Sequence, residues 1–291
     1  MVRRRVVDDP SDLMRVIAEV ASSLTHNPKA IKQTLPDVAV EVMSLCERPN
    51  VDAVTVENAI ARDPFVSAQI LSLANSPMFA PRMPIESVRD AIVRIGLITV
   101  NDLVLMVVAS SSMFRIVGFE DYVRRTTERF PATAVAARIL AQRLGLPLEA
   151  AFTAGLLHDV GALVLLDNCV RIGAVTPAMA KSPTLLQAVR TAIQVHHGKV
   201  GAAICANWKM PTTTIEAAAH HHDGVDDNGH VYANLVRAAD VFADVLGVGT
   251  TEKQRLDPTD KVFKDFKLSE NDVLAAMAEF IELLPTFSKF K

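Results

Sequence analysis

The feature that most limits the fold of this chain is the near absence of segments in which apolar and polar residues alternate. Apolar residues recur instead at intervals of three and four, and valines are scattered through such stretches rather than grouped into short runs. That spacing places apolar side chains on one face of a helix, whereas a half-buried strand needs a period of two. We therefore predict an all-α protein.

Residues that favour helix starts and ends divide the chain into segments. Asp63 followed by Pro64 is typical of a helix start, and Thr99 with Asp102 three residues later resembles a capping box with Asp in place of Glu. Glycines stand where helices would end, at Gly96, Gly118, Gly145 and Gly247 or Gly249. The predicted helices span residues 11–24, 37–47, 54–62, 64–75, 85–95, 99–115, 119–144, 148–167, 183–207, 212–222, 230–246 and 270–284.

The uneven placement of histidine suggests a two-lobed helical bundle. One of the eight histidines precedes residue 115, and the other seven lie between residues 158 and 230. Any chemistry is therefore expected in the second lobe. The predicted organisation is an N-terminal helical extension (1–34), a first helical lobe (35–115), a second helical lobe (116–246), and a linker with a C-terminal helix (247–291).

Charge and hydropathy argue against two classes of protein. Lys and Arg number 30 against 33 Asp and Glu, so the net charge of −3 does not favour a general nucleic-acid binder. The mean hydropathy is +0.24, but the longest uninterrupted apolar run, Leu103 to Ala109, is far shorter than the roughly 20 residues that span a bilayer. The three cysteines lie far apart and no apolar signal segment opens the chain. We expect a cytoplasmic protein that binds neither membranes nor nucleic acid.

Histidines and aspartates of the second lobe form the candidate site. His158 and Asp159 lie within an apolar run, where a buried imidazole and carboxylate are costly unless they are paired or bind a metal. Imidazoles and carboxylates without thiols suit Fe, Mn, Zn or Ni, and Mg is a further candidate. The candidate ligands are His158, Asp159, His197, His221, His222 and Asp240. Ordinary surface or core roles are expected for the remaining ones, His26, His196, His220 and His230.

The candidate ligands belong to an ordered series of sequence motifs. In the second lobe the series consists of GLLHDVG at 155–161, HGKVGA at 197–202, Trp208, Pro211, HHD at 221–223 and AD at 239–240. It resembles the helical HD superfamily of metal-dependent phosphohydrolases. In the first lobe the series consists of LP at 35–36, DP at 63–64, LSLANS at 71–76 and AIVRIG at 91–96. These segments are similar to the HDOD family, the HD-related output domain of bacterial signalling, and the resemblance covers about residues 35–245.

The resemblance implies a regulatory protein of two helical lobes, in a family where many members lack a complete catalytic site. This chain departs from the HD pattern at two positions. Pro131 stands where the pattern has its first metal histidine, and Ala162 stands where a lysine able to meet a phosphate is frequent. Proline cannot ligate a metal, and inside a helix it removes a hydrogen bond. We therefore predict a kink or break at Pro131.

Basic residues just before Pro131 are expected to lie on the surface. Arg124, Arg125 and Arg129 follow or alternate with acidic residues at helical spacing, which favours ion pairs. The acidic partners available to them are Glu120, Asp121 and Glu128. Binding of an anionic ligand by these arginines is the alternative.

Two functions stay open at this point. The first is a stand-alone HDOD regulatory protein with a degenerate metal site and no assigned catalytic residue, since only 34 residues precede Leu35 and about 45 follow the second lobe. It would act through a signalling protein partner, or through a small anionic or nucleotide ligand. The alternative is a metal-dependent phosphohydrolase acting on nucleotides or cyclic dinucleotides. The site likewise either holds one ion with fewer protein ligands or is a polar network without an ion.

Overall fold

The structure is a computed structural model that describes residues 9–27, 36–79, 81–110, 114–223, 229–250 and 253–287. Within these ranges it contains helices and no strand, which confirms the all-α prediction. The helices are α1 (Pro10–His26), α2 (Asp37–Cys46), α3 (Ala53–Ala61), α4 (Pro64–Ala74), α5 (Val88–Ile95), α6 (Leu97–Ser110), α7 (Glu120–Leu144), α8 (Leu148–Leu157), α9 (Val160–Arg171), α10 (Pro183–Asn207), α11 (Thr212–His220), α12 (Val231–Leu246), α13 (Lys261–Lys264) and α14 (Glu270–Phe287). A short 3₁₀ helix, Met179–Lys181, precedes α10.

Several predicted helix ends match the structure. The Asp63 carboxylate accepts hydrogen bonds from the backbone N–H groups of Phe65 and Val66 at 3.0 and 3.1 Å, as expected of a helix cap. Gly145 and Gly247 end α7 and α12 with left-handed backbone conformations. The capping box at Thr99 and Asp102 was wrong, because α6 begins at Leu97 and both side chains are buried.

The predicted helix over 148–167 is divided in the structure into α8 and α9. The division falls at His158 and Asp159, where the Asp159 backbone has φ −101° and ψ 6°. Neither glycine nor proline marks this turn in the sequence, so the apolar run reads as one continuous helix. The stretch Leu148–Arg171 is also long and apolar enough to cross a membrane, but 78% of its apolar window is buried inside the protein, as in a core helix.

Of the kink or break predicted at Pro131, the break does not occur, because α7 continues as one helix on both sides of this residue. An interior proline costs about 3 kcal/mol through its missing N–H and its clash with the preceding turn. Pro131 lies in a fully packed part of α7, where Phe130 and the run 132–137 are all buried. Burial of these side chains against α8, α12 and α14 offsets the local cost.

The two groups of helices are joined through α6. In the first group α6 packs against α2, α4 and α5, and its segment 103–109 is buried throughout. The same helix also packs against α7 and α8 of the second group. In the second group α10 packs against α9, α11 and α1, so the N-terminal helix lies on the second group rather than the first.

A glycine allows α9 and α10 to approach each other closely. A Cβ atom on Gly161 would lie 2.1 Å from the His197 carbonyl oxygen and 2.4 Å from the Gly201 nitrogen. Both are backbone atoms of α10, so a side chain could fit only if the two helices moved apart. Gly161 comes two residues after Asp159. This approach therefore brings the Asp159 carboxylate next to the His197 imidazole.

Candidate metal-binding site

The site forms where the turn between α8 and α9 meets three helices, α10, α11 and α12, in the second lobe. His158 and Asp159 lie in the turn between α8 and α9, and His197 lies in the middle of α10. His221 directly follows α11, while Asp240 lies in α12. The His158, His197 and His221 side chains are at most 2% exposed. Residues that are far apart in sequence therefore form one largely buried polar cluster.

The Asp159 carboxylate is the centre of the cluster. Its Oδ1 lies 3.1 Å from His197 Nε2 and 3.3 Å from His221 Nε2. Its Oδ2 lies 3.3 Å from His158 Nε2. The Nε2 atoms of His197 and His221 are themselves 3.1 Å apart. Three imidazoles thus present the same nitrogen to one carboxylate.

Backbone carbonyls hold each imidazole in this orientation. His158 Nδ1 is 2.7 Å from the Gly155 oxygen, His197 Nδ1 is 2.8 Å from the Gln194 oxygen, and His221 Nδ1 is 3.0 Å from the Ala217 oxygen. Because a carbonyl can only accept, each Nδ1 is a donor and each neutral ring keeps its Nε2 lone pair free. Histidines that bind metals are commonly fixed in this way through the other ring nitrogen.

The distances fit one metal ion. Two neutral Nε2 atoms that face each other at 3.1 Å cannot both accept a hydrogen bond, so the pair needs a proton or a cation between or beside it. Ligand atoms about 2.1 Å from one ion lie about 3.0–3.4 Å apart at common coordination angles, which matches Asp159, His197 and His221. In addition, His158 Nε2 is fully buried and lacks an aligned hydrogen bond.

The charges of the cluster favour a bound cation. Burial alone would lower the pKa of His158, but the carboxylates of Asp159 and Asp240 raise it to about 10. Burial would raise the pKa of Asp159, but His158, His197 and His221 hold it well below the usual range. The cluster therefore favours a positive charge, supplied either by a proton on His158 or by a metal ion.

His222 lies at the solvent-facing edge of the cluster. Its ligand atom is within 4.8 Å of those of Asp159, His197 and His221. The Gln194 amide donates to His222 Nε2 at 2.9 Å, and burial with the nearby His221 lowers the pKa of His222 to about 4. His222 is thus kept neutral beside the three central residues. The other histidines lie elsewhere: His220, for example, pairs with Asp223 and stacks on His230.

Asp240 is bound by a cation of the protein itself. Arg129 Nη2 lies 3.0 Å from Asp240 Oδ1, and Arg129 also pairs with Asp244. Thr133 Oγ1 donates to the same Asp240 oxygen at 2.7 Å, whereas His158 Nε2 is 3.5 Å away from it. Burial would raise the pKa of Asp240, but the Arg129 charge lowers it strongly. Asp240 is therefore held mainly by residues of α7, and its contact with His158 is the longest of the three.

The surface role expected for Arg129 was wrong. Arg124 and Arg125 do form the expected ion pairs, to Asp121 and Glu128. Arg129 instead points inward, and its side chain is 14% exposed. The missed signal is the pair of aspartates four residues apart in α12, Asp240 and Asp244, which lie on one face of a mostly apolar helix and need a compensating cation.

Comparison with known protein families identifies the family of this chain. Residues 33–224 match the model of the HDOD domain, which is more than half of the sequence. The chain belongs to the HDOD domain family. This finding confirms the resemblance that the sequence motifs indicated.

Relatives of this HDOD protein are distant. An uncharacterised protein of Treponema pallidum is 22% identical over 228 residues, which are 76% of this chain and 43% of the relative, so the chain spans less than half of that protein's length. A candidate phosphohydrolase from Shewanella amazonensis has a similar solved structure, with a TM-score of 0.67, 19% identity, and coverage of 93% of this chain and 97% of that one. A candidate signal transduction protein from Marinobacter aquaeolei matches with a TM-score of 0.64, 20% identity, and coverage of 98% and 66%. These likenesses show the fold.

The two departures from the HD pattern have visible consequences in this HDOD protein. Pro131 is buried in α7, between Arg129 and Thr133, and offers no ligand atom. Arg129 and Thr133, two residues to either side of it, are the residues that bind Asp240. Ala162 is buried in the first turn of α9 and brings no charge to the site. Among the described residues, Arg129 is the cation in contact with the cluster's carboxylates.

Proposed function

We propose that this chain is an HDOD regulatory protein whose histidine cluster binds one divalent metal ion and does not hydrolyse phosphodiesters. The observation that carries this proposal is the contact of Arg129 with Asp240 at 3.0 Å, beside the proline that occupies a ligand position of the HD pattern. Asp159, His197 and His221 match the HD pattern and can hold an ion. On the α7 side, an ion pair between Arg129 and Asp240 stands beside the missing ligand position.

Asp159, His197 and His221 would hold the ion, with His158 and His222 beside it. Their mutual separations of 3.1–3.3 Å and the anchored Nδ1 atoms support this assignment. Nitrogen and carboxylate ligands without thiolate suit Mn, Fe, Ni or Zn. Such an ion supplies Lewis acidity and an attachment point for an anion when bound. The protein's own role is to fix the orientation of the imidazoles and to keep the inner side of the cluster buried.

The Arg129 ion pair argues against hydrolysis. A metal that activates water needs ligands that fix it and leave the reacting positions open. Here the guanidinium and the Thr133 hydroxyl occupy Asp240 Oδ1, the oxygen nearest His158. Using this oxygen as a metal ligand would leave Arg129 without one of its two carboxylates in a nearly buried position, which is costly.

Exposed apolar side chains on the first lobe support a role in protein contacts. Met83, Val93 and Ile98 are 62–74% exposed, and they lie on or next to α5. Arg94 Nη1 donates to the Met83 carbonyl at 3.2 Å, which holds the preceding loop against α5. Exposed large apolar side chains are frequent at interaction surfaces. A signalling partner bound here would act at a distance from the metal cluster.

Metal content tests the first half of the proposal. Full-length protein purified without chelator and loaded with Mn²⁺ is expected to keep about one ion per chain, measured by elemental analysis after gel filtration. Asp159→Asn and His221→Ala should each lower the affinity at least tenfold, because each removes one of three central ligands. His196→Ala is the matched control, since His196 neighbours His197 but lies outside the cluster.

Two results would contradict this assignment. One is folded wild-type protein that retains no Mn²⁺, Fe²⁺, Ni²⁺ or Zn²⁺, which would show that the cluster is a hydrogen-bonded network. The other is equal loss of metal in the His196→Ala control, which would place the ion elsewhere.

A metal-dependent phosphohydrolase remains the second candidate, favoured by the free Nε2 atoms and by the solvent-facing edge at Gln194 and His222. Metal-loaded protein is expected to show no turnover of nucleotides, cyclic dinucleotides or a generic phosphodiester above that of a His158→Ala/Asp159→Ala double variant. Turnover that depends on added metal and disappears in the double variant would replace the regulatory proposal with this one.

A further inference from the structure

The junction between the two lobes contains a buried acid that forms no ion pair with any described residue. Asp102 lies in α6 of the first lobe and is 5% exposed. Its Oδ1 accepts a hydrogen bond from the hydroxyl of Thr153, in α8 of the second lobe, at 2.8 Å. Helix α6 packs against α2, α4 and α5 on the one hand and against α7 and α8 on the other. Asp102 therefore lies where the first lobe meets the helix that leads to the metal cluster.

The charged groups that face Asp102 do not offset the burial of its carboxylate. From α8, Glu149 adds a second negative charge, and Arg138 of α7, which opposes it, pairs with Glu149 at 3.7 Å. From α2 the facing group is the Cys46 thiol, whose pKa burial and the charge of Asp102 raise to about 11. Helix α4 carries no titratable residue. The charged residues of α5 are Arg89, Asp90 and Arg94.

Helix α8 connects this junction to the metal cluster by a short path. Thr153 lies five residues before His158, which is about 7–8 Å along the helix axis. Between them, the Gly155 carbonyl accepts a hydrogen bond from His158 Nδ1 at 2.7 Å. A Cβ atom on Gly155 would lie 2.7 Å from the Thr133 carbonyl oxygen, so α8 also packs directly on the backbone of α7. A displacement of α8 at Thr153 would therefore move the turn that holds His158 and Asp159.

Ionisation of Asp102 favours separation of α6 from α8. A buried carboxylate without a compensating cation is costly, whereas water can solvate it once the two helices move apart. Burial raises the pKa of Asp102 to about 7 in the packed state, and a solvated carboxyl would lose its proton near pH 4. The packed state is thus fully favoured below about pH 4, loses this advantage as the pH rises to about 7, and does not regain it above.

We propose that the hydrogen bond between Asp102 and Thr153 is a proton-dependent switch between the lobes. With a proton on Asp102 the first lobe stays packed on α8. With Asp102 ionised, α6 separates from α8 and loosens the turn at His158 and Asp159. This inference rests on the proposed function, because the cluster that the switch regulates is the proposed metal site. A partner that binds the first lobe and prefers one of the two states would shift the same equilibrium.

Amide hydrogen exchange of the full chain at pH 5 and pH 8 tests this inference, with rates corrected for the intrinsic effect of pH. Helix α14, which packs against α7, is the internal reference. In the wild type, exchange in α6 and α8 relative to α14 is expected to be at least tenfold faster at pH 8 than at pH 5. Asp102→Asn should show less than a twofold difference, because asparagine keeps an acceptor for Thr153 and carries no charge. Glu149→Gln is the matched control, since Glu149 is 41% exposed, and it should behave as the wild type.

Thr153→Val gives a second measurement in which the acid itself is unchanged. This variant removes the donor to the ionised carboxylate, so it should accelerate exchange in α8 more at pH 8 than at pH 5. The same pH dependence in Asp102→Asn and in the wild type would overturn the inference. A change confined to α6 would also overturn it, because the switch would then not reach the site.

Addition of Mn²⁺ separates this inference from the proposed function. Because linkage is reciprocal, an ion that prefers the packed state should slow exchange in α6 at least threefold at pH 8. Bound Mn²⁺ that leaves α6 unaffected would overturn the connection to the cluster, while the metal assignment would stand. A pH-dependent separation of α6 from α8 in protein that binds no metal would support the switch and overturn the proposed function.

Discussion

Replacing Gly161 by alanine is expected to destabilise the protein by about 3 kcal/mol or more. The new Cβ would lie 2.1 Å from the His197 carbonyl oxygen and 2.4 Å from the Gly201 nitrogen, which are both backbone atoms. No rotamer change can relieve such contacts, so α9 must move away from α10. The gain in helix propensity from Gly to Ala is only about 1 kcal/mol and does not compensate.

Urea or thermal unfolding measures this effect, and Gly201→Ala is the control. Gly201 lies in α10 opposite Gly161, but a Cβ there would meet Ala218 Cβ at 3.4 Å and Gly161 N at 3.5 Å, which are ordinary contacts. The control gains the same helix propensity without a clash, so it should be neutral or slightly stabilising. Gly161→Ala is expected to lower the Tm by roughly 5–10 °C. Equal stability of the two variants would show that the helices do not approach as described.

The same substitution is expected to weaken metal binding. Separation of α9 from α10 increases the distance between Asp159 and His197, which is 3.1 Å in the structure. Coordination by both residues tolerates little displacement. Gly161→Ala should therefore lower the affinity for Mn²⁺ under conditions in which the protein is still folded, whereas Gly201→Ala should not.

Most helices could be predicted from the sequence because their signals are local. Apolar spacing identified the buried faces, and caps such as Asp63 or Gly145 marked helix ends. The turn at His158 and Asp159 could not be predicted, because the contacts that stabilise it come from α10 and α11. The break predicted as one outcome at Pro131 is absent for a related reason, since contacts with neighbouring helices hold α7 together where the local sequence favours a break.

The composition of the site followed from the motifs, but its internal pairing did not. The residue pattern suggested six candidate ligands without ranking them. The structure gathers Asp159, His197 and His221 and leaves Asp240 at the side. The deciding partner, Arg129, binds Asp244 at a separation of 115 residues in sequence. Helical spacing detects partners three or four residues away, so it assigned Arg129 to the surface instead.

Replacing Asp102 by asparagine is expected to stabilise the protein above pH 7 by about 2–4 kcal/mol and to have little effect near pH 4. Asp102 lies in α6 and is 5% exposed, where the first lobe meets α8. Its Oδ1 accepts a hydrogen bond from Thr153 Oγ1 at 2.8 Å. Among the described residues no cation pairs with it directly. Asparagine keeps an acceptor for Thr153 and removes the buried charge.

The pH dependence follows from the direction of the pKa shift. Burial raises the pKa of Asp102 to about 7, the Thr153 hydrogen bond opposes this, Glu149 adds to it, and Arg138 also opposes it. On the α2 side the facing group is the Cys46 thiol, whose own pKa is raised to about 11 by burial and by Asp102. Between about pH 4 and pH 7 the native state keeps a proton that the unfolded chain has lost. Stability from this group is therefore full below pH 4, falls as the pH rises through the window, and stays low above it.

Unfolding in urea at pH 5 and pH 8 isolates this contribution as the difference between wild type and Asp102→Asn, since other titrating groups cancel between the two proteins. The difference should grow with pH by about 2–4 kcal/mol. Glu149→Gln is the control, because its carboxylate lies near Asp102 but is 41% exposed, and its effect should stay within about 0.5 kcal/mol at both pH values. Thr153→Val removes the donor that stabilises the charged form, so it should destabilise the protein more at pH 8 than at pH 5. A difference between wild type and Asp102→Asn that is the same at both pH values would mean that Asp102 is already ionised in the native state at pH 5, and the junction between the lobes would then carry no titrating acid.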